Sequence, residues 1–237
     1  MNLATSTAWV TGAGKGIGEA TARALASEGV RVALTSRTGE NLERVAADIV
    51  SDGGTAVVIP ADVTVESDIR RAWDVVANEF GGVDILVNNA GIGRFATVGE
   101  LSVSDFDAMW NLNVRGLFLC TQAVLPSMQQ KQSGVIVNIS SLAGKNAFVN
   151  GAGYAATKWA VNGFSNCLRL EVRKQNIKVI TVCPGSVATE FTSGEKDPRR
   201  VGSILQPEDV ADAIIGALKL PERAMMSEID LRPTNPQ

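Results

Sequence analysis

Seven short runs of β-branched and aliphatic residues recur along the chain, separated for the most part by longer segments of helical period, and few folds accept that alternation. The runs fall at 8–11, 30–36, 56–61, 85–88, 134–139, 178–183 and 228–231, and the helical segments at 17–27, 39–51, 66–80, 103–130, 154–174 and 207–218. Connections of that length suit parallel strands, which need a crossover helix where antiparallel strands need only a turn. Several runs are apolar nearly throughout rather than alternating, as strands covered on both faces must be. The expectation is an α/β fold with a seven-stranded, mostly parallel, doubly wound sheet and helices on both faces. No internal repeat or linker interrupts the pattern before the loose tail at 233–236, so residues 1–237 read as one domain. Between 191 and 206 no element is apparent. Loops longer than about 12–15 residues in a compact domain are usually functional, so a substrate lid is expected at about 190–206.

Composition removes several kinds of chemistry. The 237 residues include no histidine, which excludes a Ser-His-Asp triad, a Cys-His dyad and His-ligated zinc and leaves proton transfer to Tyr, Lys, Cys or a carboxylate. A formal net charge of -3 argues against a nucleic-acid surface or a polybasic membrane anchor, and no run of 18 apolar residues occurs. Cys120, Cys167 and Cys183 are odd in number, widely spaced and set in apolar contexts, so they are expected to be reduced core residues. The first six residues carry neither a basic segment nor an apolar stretch, and a cytoplasmic location is expected.

Directly after the first run the chain reads Thr11-Gly12-Ala13-Gly14-Lys15-Gly16-Ile17-Gly18 and then becomes helical. Glycines there permit a tight turn and let main-chain N–H groups at a helix N-terminus approach a pyrophosphate. The spacing is G-x-x-x-G-x-G through Gly12, Gly16 and Gly18; the G-x-G-x-x-G form fails because its last glycine would fall at Ile17. Between a first strand and a first helix, this loop points to dinucleotide binding on a Rossmann-type sheet. An NAD site would place Asp or Glu near the end of the second strand for the ribose 2′-OH, but here the strand ends Thr35-Ser36-Arg37. Arg37 offers a guanidinium fork to a 2′-phosphate, with Lys15 as a second cation. NADP(H) is the expected cofactor. A charge-assisted bond of roughly 1.5–3 kcal/mol would favour it over NAD by about 10- to 150-fold.

Tyr154 is the sole tyrosine, and Lys158 follows four residues later in a helical segment, so phenol and ammonium share one helix face. An adjacent cation favours the phenolate, so Lys158 is expected to lower the Tyr154 pKa. Upstream, the fifth strand runs into Asn138-Ile139-Ser140-Ser141, where a hydroxyl at the C-terminal end can donate to a carbonyl oxygen. Asn113 is polar amid Leu112, Val114 and Leu117, a placement that needs a hydrogen-bonding reason.

With Asp62-Val63 after the third strand, Asn88-Asn89-Ala90-Gly91 after the fourth and Pro184-Gly185 after the sixth, the sequence resembles the short-chain dehydrogenase/reductase family from Thr11 to Thr189. The resemblance implies that Tyr154 is the general acid in carbonyl reduction and the base in alcohol oxidation, and that Ser141, thirteen residues before it, polarises the substrate oxygen, with Ser140 as a rival. It implies that Lys158 binds the nicotinamide ribose and that Asn113 helps hold a water chain. It places Ile17 with the glycine loop, Ser36 where NAD-preferring members carry aspartate, Asp62 and Val63 at adenine, Asn89, Ala90 and Gly91 along the cofactor cleft, and Pro184, Gly185, Val187 and Thr189 at the nicotinamide end. No metal is required. Homo-oligomers, tetramers or dimers pairing the long fourth and fifth helices, are common among similar proteins.

The substrate stays open at this point. Ile92-Gly93-Arg94-Phe95, the stretch 142–153 and the lid should set it, and Phe148, Val149, Phe191, Asn146 and Asn150 mix apolar and polar contacts. A 3-oxoacyl thioester on acyl carrier protein is one candidate, with Arg115, Arg169, Arg173 and Lys174 as a docking patch. A small ketone or aldehyde is another, and an NADP-binding sensor or scaffold without catalysis is a third. The chain ends soon after its last strand, so no C-terminal segment is expected over the pocket.

Overall fold

The computed structural model describes residues 1–191 and 204–234. Strands β1 (Thr7–Thr11), β2 (Arg31–Ser36), β3 (Ala56–Pro60), β4 (Ile85–Asn88), β5 (Gly134–Ile139), β6 (Ile177–Pro184) and β7 (Glu228–Leu231) form one sheet in the order β3-β2-β1-β4-β5-β6-β7. Every pairing is parallel. Helices α1 (Gly16–Ser27), α2 (Gly39–Ser51), α3 (Glu66–Phe80), α4 (Val103–Trp110), α5 (Leu117–Lys131), α6 (Ala152–Val172) and α7 (Pro207–Leu218) cover both faces in a single-domain Rossmann-like fold.

Successive side chains of a strand point to opposite faces, so an unbroken apolar run supplies two cores at once. Ala8 and Val10 of β1 join Leu25, Leu42, Val45 and Ile214 in the layer under α1, α2 and α7, whereas Trp9 between them joins Ile69, Met128 and Leu168 under α3, α5 and α6. Val135 and Val137 of β5 enter the first layer and Ile136 the second. The buried Trp9 indole donates to Thr35 Oγ1 at 2.8 Å, which removes the cost of an unpaired N–H. Strand order reverses between β1 and β4, and a crevice opens outside the carboxyl ends of strands at such a switch point.

Two expectations need correction. The helix read over 103–130 is interrupted by a π-helical stretch at Asn111–Gly116, between α4 and α5. Apolar spacing does not separate 3.6 residues per turn from a wider turn, and π-bulges occur often at functional sites. The cysteines are not all core residues: Cys120 and Cys183 are buried, but Cys167 is exposed on α6. Of the expected lid, 192–203 lie outside the described residues; Leu205 at its end forms an isolated bridge with Val187. Among the described residues no helix is long and apolar enough to cross a membrane.

Candidate active site

The glycine loop and the turn after β4 meet at the switch point. Gly12 (φ 65°) and Gly16 (φ 58°) occupy the left-handed region that glycine alone adopts freely. A Cβ on Gly12 would stand 2.8 Å from Asn89 Nδ2, and one on Gly18 only 2.2 Å from Gly12 O. Asn89 closes that contact by donating from Nδ2 to Thr11 O (2.9 Å) and Gly12 O (3.1 Å). Thr11 Oγ1 accepts from the main-chain N–H of Asn89 (3.0 Å) and Ala90 (3.1 Å), so the two turns form one main-chain wall. Lys15 is the N-cap of α1 and gives it no side-chain cap. The first-turn N–H groups of α1, with Gly12 and Gly16 bare beside them, fit a pyrophosphate.

At the adenosine end the residues divide. Ser36 Oγ donates to Thr38 O at 3.2 Å, close to Gly14. Arg37 is exposed and makes no ion pair among the described residues. Lys15 Nζ instead pairs with Glu190 at 2.9 Å, bridging the glycine loop to the segment after β6. Thr189 lies there too, its Cγ2 3.1 Å from where a Gly16 Cβ would be. Asp62 Oδ1 accepts from Thr64 N (2.9 Å) and Thr64 Oγ1 (2.8 Å), ordering the turn after β3, while Val63 is buried against Gly116 of the π-helical stretch. Val187 packs on the first core layer, and Gly185 N donates to Leu231 O at 2.9 Å.

Ser141, Tyr154 and Lys158 converge at the end of β5. The two serines separate by strand alternation. Ser140 Oγ turns inward and donates to Lys158 O at 3.3 Å, while Ser141 Oγ accepts from Ala143 N at 3.1 Å, donates to Pro184 O at 3.4 Å and lies near enough to the Tyr154 hydroxyl to oppose the rise in its pKa. Lys158 is 5% exposed; its Nζ donates to Ile139 O at 2.9 Å and lies 5.7 Å from the Tyr154 ring centroid. The expected lowering of the phenol pKa is overturned in the ligand-free chain. Burial pushes Tyr154 up to about 12, against the opposing effect of Ser141, and burial brings Lys158 down to about 8. The cation sits over the ring rather than on the hydroxyl, so desolvation wins. Asn113, within the π-helical stretch, accepts from Ile92 N (2.8 Å) and donates to Ile92 O (2.9 Å) and Thr157 Oγ1 (3.0 Å). Both its N–H groups are engaged by protein atoms, and its side chain acts here as a clamp between the loop after β4 and α6.

A short chain dehydrogenase family model matches residues 6–200 of this chain. The chain belongs to the short-chain dehydrogenase/reductase family. It is 36% identical over 237 residues to a sepiapterin reductase of Chlorobaculum tepidum, covering 95% of each protein. Among solved structures, a metagenomic short-chain oxidoreductase in complex with NADP superposes with a TM-score of 0.87 at 35% identity, covering 99% of both chains. An alcohol dehydrogenase from the archaeon Thermococcus sibiricus, complexed with 5-hydroxy-NADP, gives 0.92 at 30% identity over 98% of both.

In this short-chain dehydrogenase/reductase site Thr157 escapes a reading by motif, while Thr11 and Phe95 are legible in the sequence but not the contacts they make. Thr11 holds the Asn89 turn, and Thr157 joins Asn113 to the main chain of Tyr154, whose carbonyl accepts from Thr157 Oγ1 at 2.8 Å. Phe95 packs its ring 5.4 Å from that of Tyr154. The contacts of Thr11 with Asn89, Thr157 with Asn113 and Phe95 with Tyr154 have no signal in local spacing, because each acts across a distance in sequence that only folding closes.

Proposed function

We propose that this short-chain dehydrogenase/reductase reduces a ketone or aldehyde with NADPH, reversibly, using Ser141, Tyr154, Lys158 and Asn113. The observation that carries the reading is the convergence of Ser141 and Tyr154 at the end of β5, with Lys158 one helical turn away and its Nζ 5.7 Å from the Tyr154 ring centroid, beside the crevice at β1 and β4. A nicotinamide bound there supplies the hydride. The two hydroxyls aim at one carbonyl oxygen: Ser141 stabilises the charge that develops on it, and Tyr154 delivers the proton. A phenol held neutral by burial suits the acid role, since an alkoxide is a stronger base than a phenolate. Lys158 would hold the ribose hydroxyls, and its positive charge beside the ring would lower the cost of the phenolate. Gly12, Lys15, Gly16, Ile17 and Gly18 hold the pyrophosphate, Asp62 and Val63 the adenine, Asn89, Ala90 and Gly91 the cleft wall, and Pro184, Gly185, Val187 and Thr189 the nicotinamide end.

Arg37 and Ser36, with no carboxylate beside them at the end of β2, support NADP over NAD, as do the NADP-bound relatives of like fold. Lys15 contributes to the 2′-phosphate only after leaving Glu190. In the acyl-carrier-protein alternative the docking patch of Arg115, Arg169, Arg173 and Lys174 includes an exposed Arg115 that donates to the Thr64 carbonyl. Assembly as a homo-oligomer is supported by an apolar groove of about 340 Å³ lined by Trp110, Leu117, Phe118, Val161 and Phe164, and sedimentation tests it.

The deciding experiment follows NADPH absorbance over a panel of ketones and aldehydes. Tyr154→Phe is expected to lower turnover by roughly 10²–10⁴-fold with NADPH affinity retained. Turnover unchanged by that substitution would overturn the mechanism. NADPH binding without turnover on any carbonyl would make the protein a sensor or scaffold.

A further inference from the structure

Three phenyl rings crowd the side of Tyr154 away from the glycine loop. Phe95 stands edge-on to the Tyr154 ring at 5.4 Å, Phe191 lies 5.7 Å from it, tilted by 59°, and Phe148 is 6.0 Å from Phe95, tilted by 52°. They come from three separate segments that are tied together. Ala96 N donates to Asn150 O at 3.1 Å, joining the loop after β4 to the one before α6. Two glycines make room for the rings: a Cβ on Gly93 would lie 2.8 Å from both Phe95 and Phe191, and one on Gly151 only 2.4 Å from Phe148. The rings are lodged, yet Phe95, Phe148 and Phe191 remain 40%, 46% and 37% exposed. Lodged rings with uncovered surface beside a reacting phenol form a wall that lacks its other half. Among the described residues, Arg94 beside Phe95 pairs with Asp105, and Glu190 beside Phe191 pairs with Lys15.

We propose, resting on the carbonyl-reductase reading above, that the substrate is a ketone whose carbonyl is attached directly to a flat aromatic ring. With the carbonyl oxygen on Ser141 and Tyr154, a substituent of that shape meets Phe95 and Phe191 in the edge-to-face or offset contacts that aromatic pairs prefer, and Phe148 extends the wall outward. The ketone carbon gains hydride from NADPH and its oxygen gains the Tyr154 proton; the products are a secondary alcohol and NADP⁺, and solvent restores the tyrosine proton. A flexible saturated chain fills the same space with less contact.

The test compares phenyl methyl ketone with cyclohexyl methyl ketone, matched in size, by kcat/KM with NADPH. Conjugation makes the aryl ketone the less electrophilic of the two, so any preference for it comes from the protein. The expected preference is about 5- to 10-fold or more, from ring contacts each worth roughly 2- to 10-fold. Phe95→Leu and Phe148→Leu are expected to bring the ratio toward 1. The ratio is immune to partial unfolding, which lowers both rates alike. A wild-type ratio at or below 1, or one unmoved by Phe95→Leu, would overturn the aromatic-wall proposal while leaving carbonyl reduction intact. No turnover of either ketone or of any other carbonyl would overturn the reduction itself, and this proposal with it.

Discussion

On one side the crevice is made by the glycine loop, where a Cβ on Gly18 would stand 2.2 Å from Gly12 O and one on Gly12 2.8 Å from Asn89 Nδ2, distances that leave no space for a methyl group. On the other side it is made of phenyl side chains whose surfaces are a third to a half uncovered. In the proposed function the glycine side recognises what all dinucleotides share, a pyrophosphate, with backbone N–H groups that cannot vary with the side chain. In the same proposal the phenyl side meets the carbonyl to be reduced, and side chains can be exchanged there without disturbing the sheet. A fold of this kind therefore keeps its cofactor while its substrate changes, and the material of each wall is the physical reason.

The contrast can be broken most sharply at Gly18. Gly18→Ala sets a methyl group 2.2 Å from Gly12 O, a main-chain atom that cannot swing aside, so the loss of stability should reach or exceed the upper end of the roughly 1–3 kcal/mol usual for overpacking. NADPH titration should show affinity lost with it; a variant that binds normally would mean the loop is more pliant than its packing. Next in size is Arg37→Ala, for which the ratio of NADPH to NADH efficiency should fall by about 10- to 150-fold, the equivalent of a charge-assisted bond of roughly 1.5–3 kcal/mol. An unchanged ratio would place the 2′-phosphate elsewhere.

Lys158 stands between the two walls, and pH reads its burial. Its pKa falls from 10.5 to about 8 on folding, so between those values the unfolded chain holds a proton that the folded chain lacks, and stability rises with pH. Tyr154 moves from 10.0 to about 12, so between those values the folded chain keeps the extra proton and stability falls. Urea unfolding at pH 8 and pH 10 should show the wild type gaining about 2 kcal/mol relative to Lys158→Met. Equal gains would mean the ammonium reaches water. The smallest effect is expected at Gly163 on α6, where a Cβ meets nothing within 4 Å: Gly163→Ala should stabilise by about 0.4–1 kcal/mol in thermal unfolding of the isolated chain. Destabilisation in the assembled protein alone would put a neighbouring copy against that helix.

Much of the scaffold could be read along the chain. Each of the seven strands lies within a residue or two of its expected run; β1, β4, β5 and β6 are buried on both faces and so apolar nearly throughout, a local requirement, whereas the edge strand β7 is not buried. The glycine loop, Arg37 and the Tyr154–Lys158 spacing were legible for the same reason. What could not be read depends on contacts between distant residues. The π-helical stretch that carries Asn113 is invisible to a periodicity count, and the pairing of Lys15 with Glu190 joins residues 175 apart.

The sequence by itself determined the fold class, the glycine loop and the helix face shared by Tyr154 and Lys158, since strand burial, glycine conformation and the i to i+4 relation act over a few residues. Only the tertiary structure decided that burial outweighs the lysine in setting the phenol's acidity and that three phenyl rings from separate loops stand beside it. Desolvation and cross-chain packing depend on everything that surrounds a group, and no single stretch of sequence contains that surrounding.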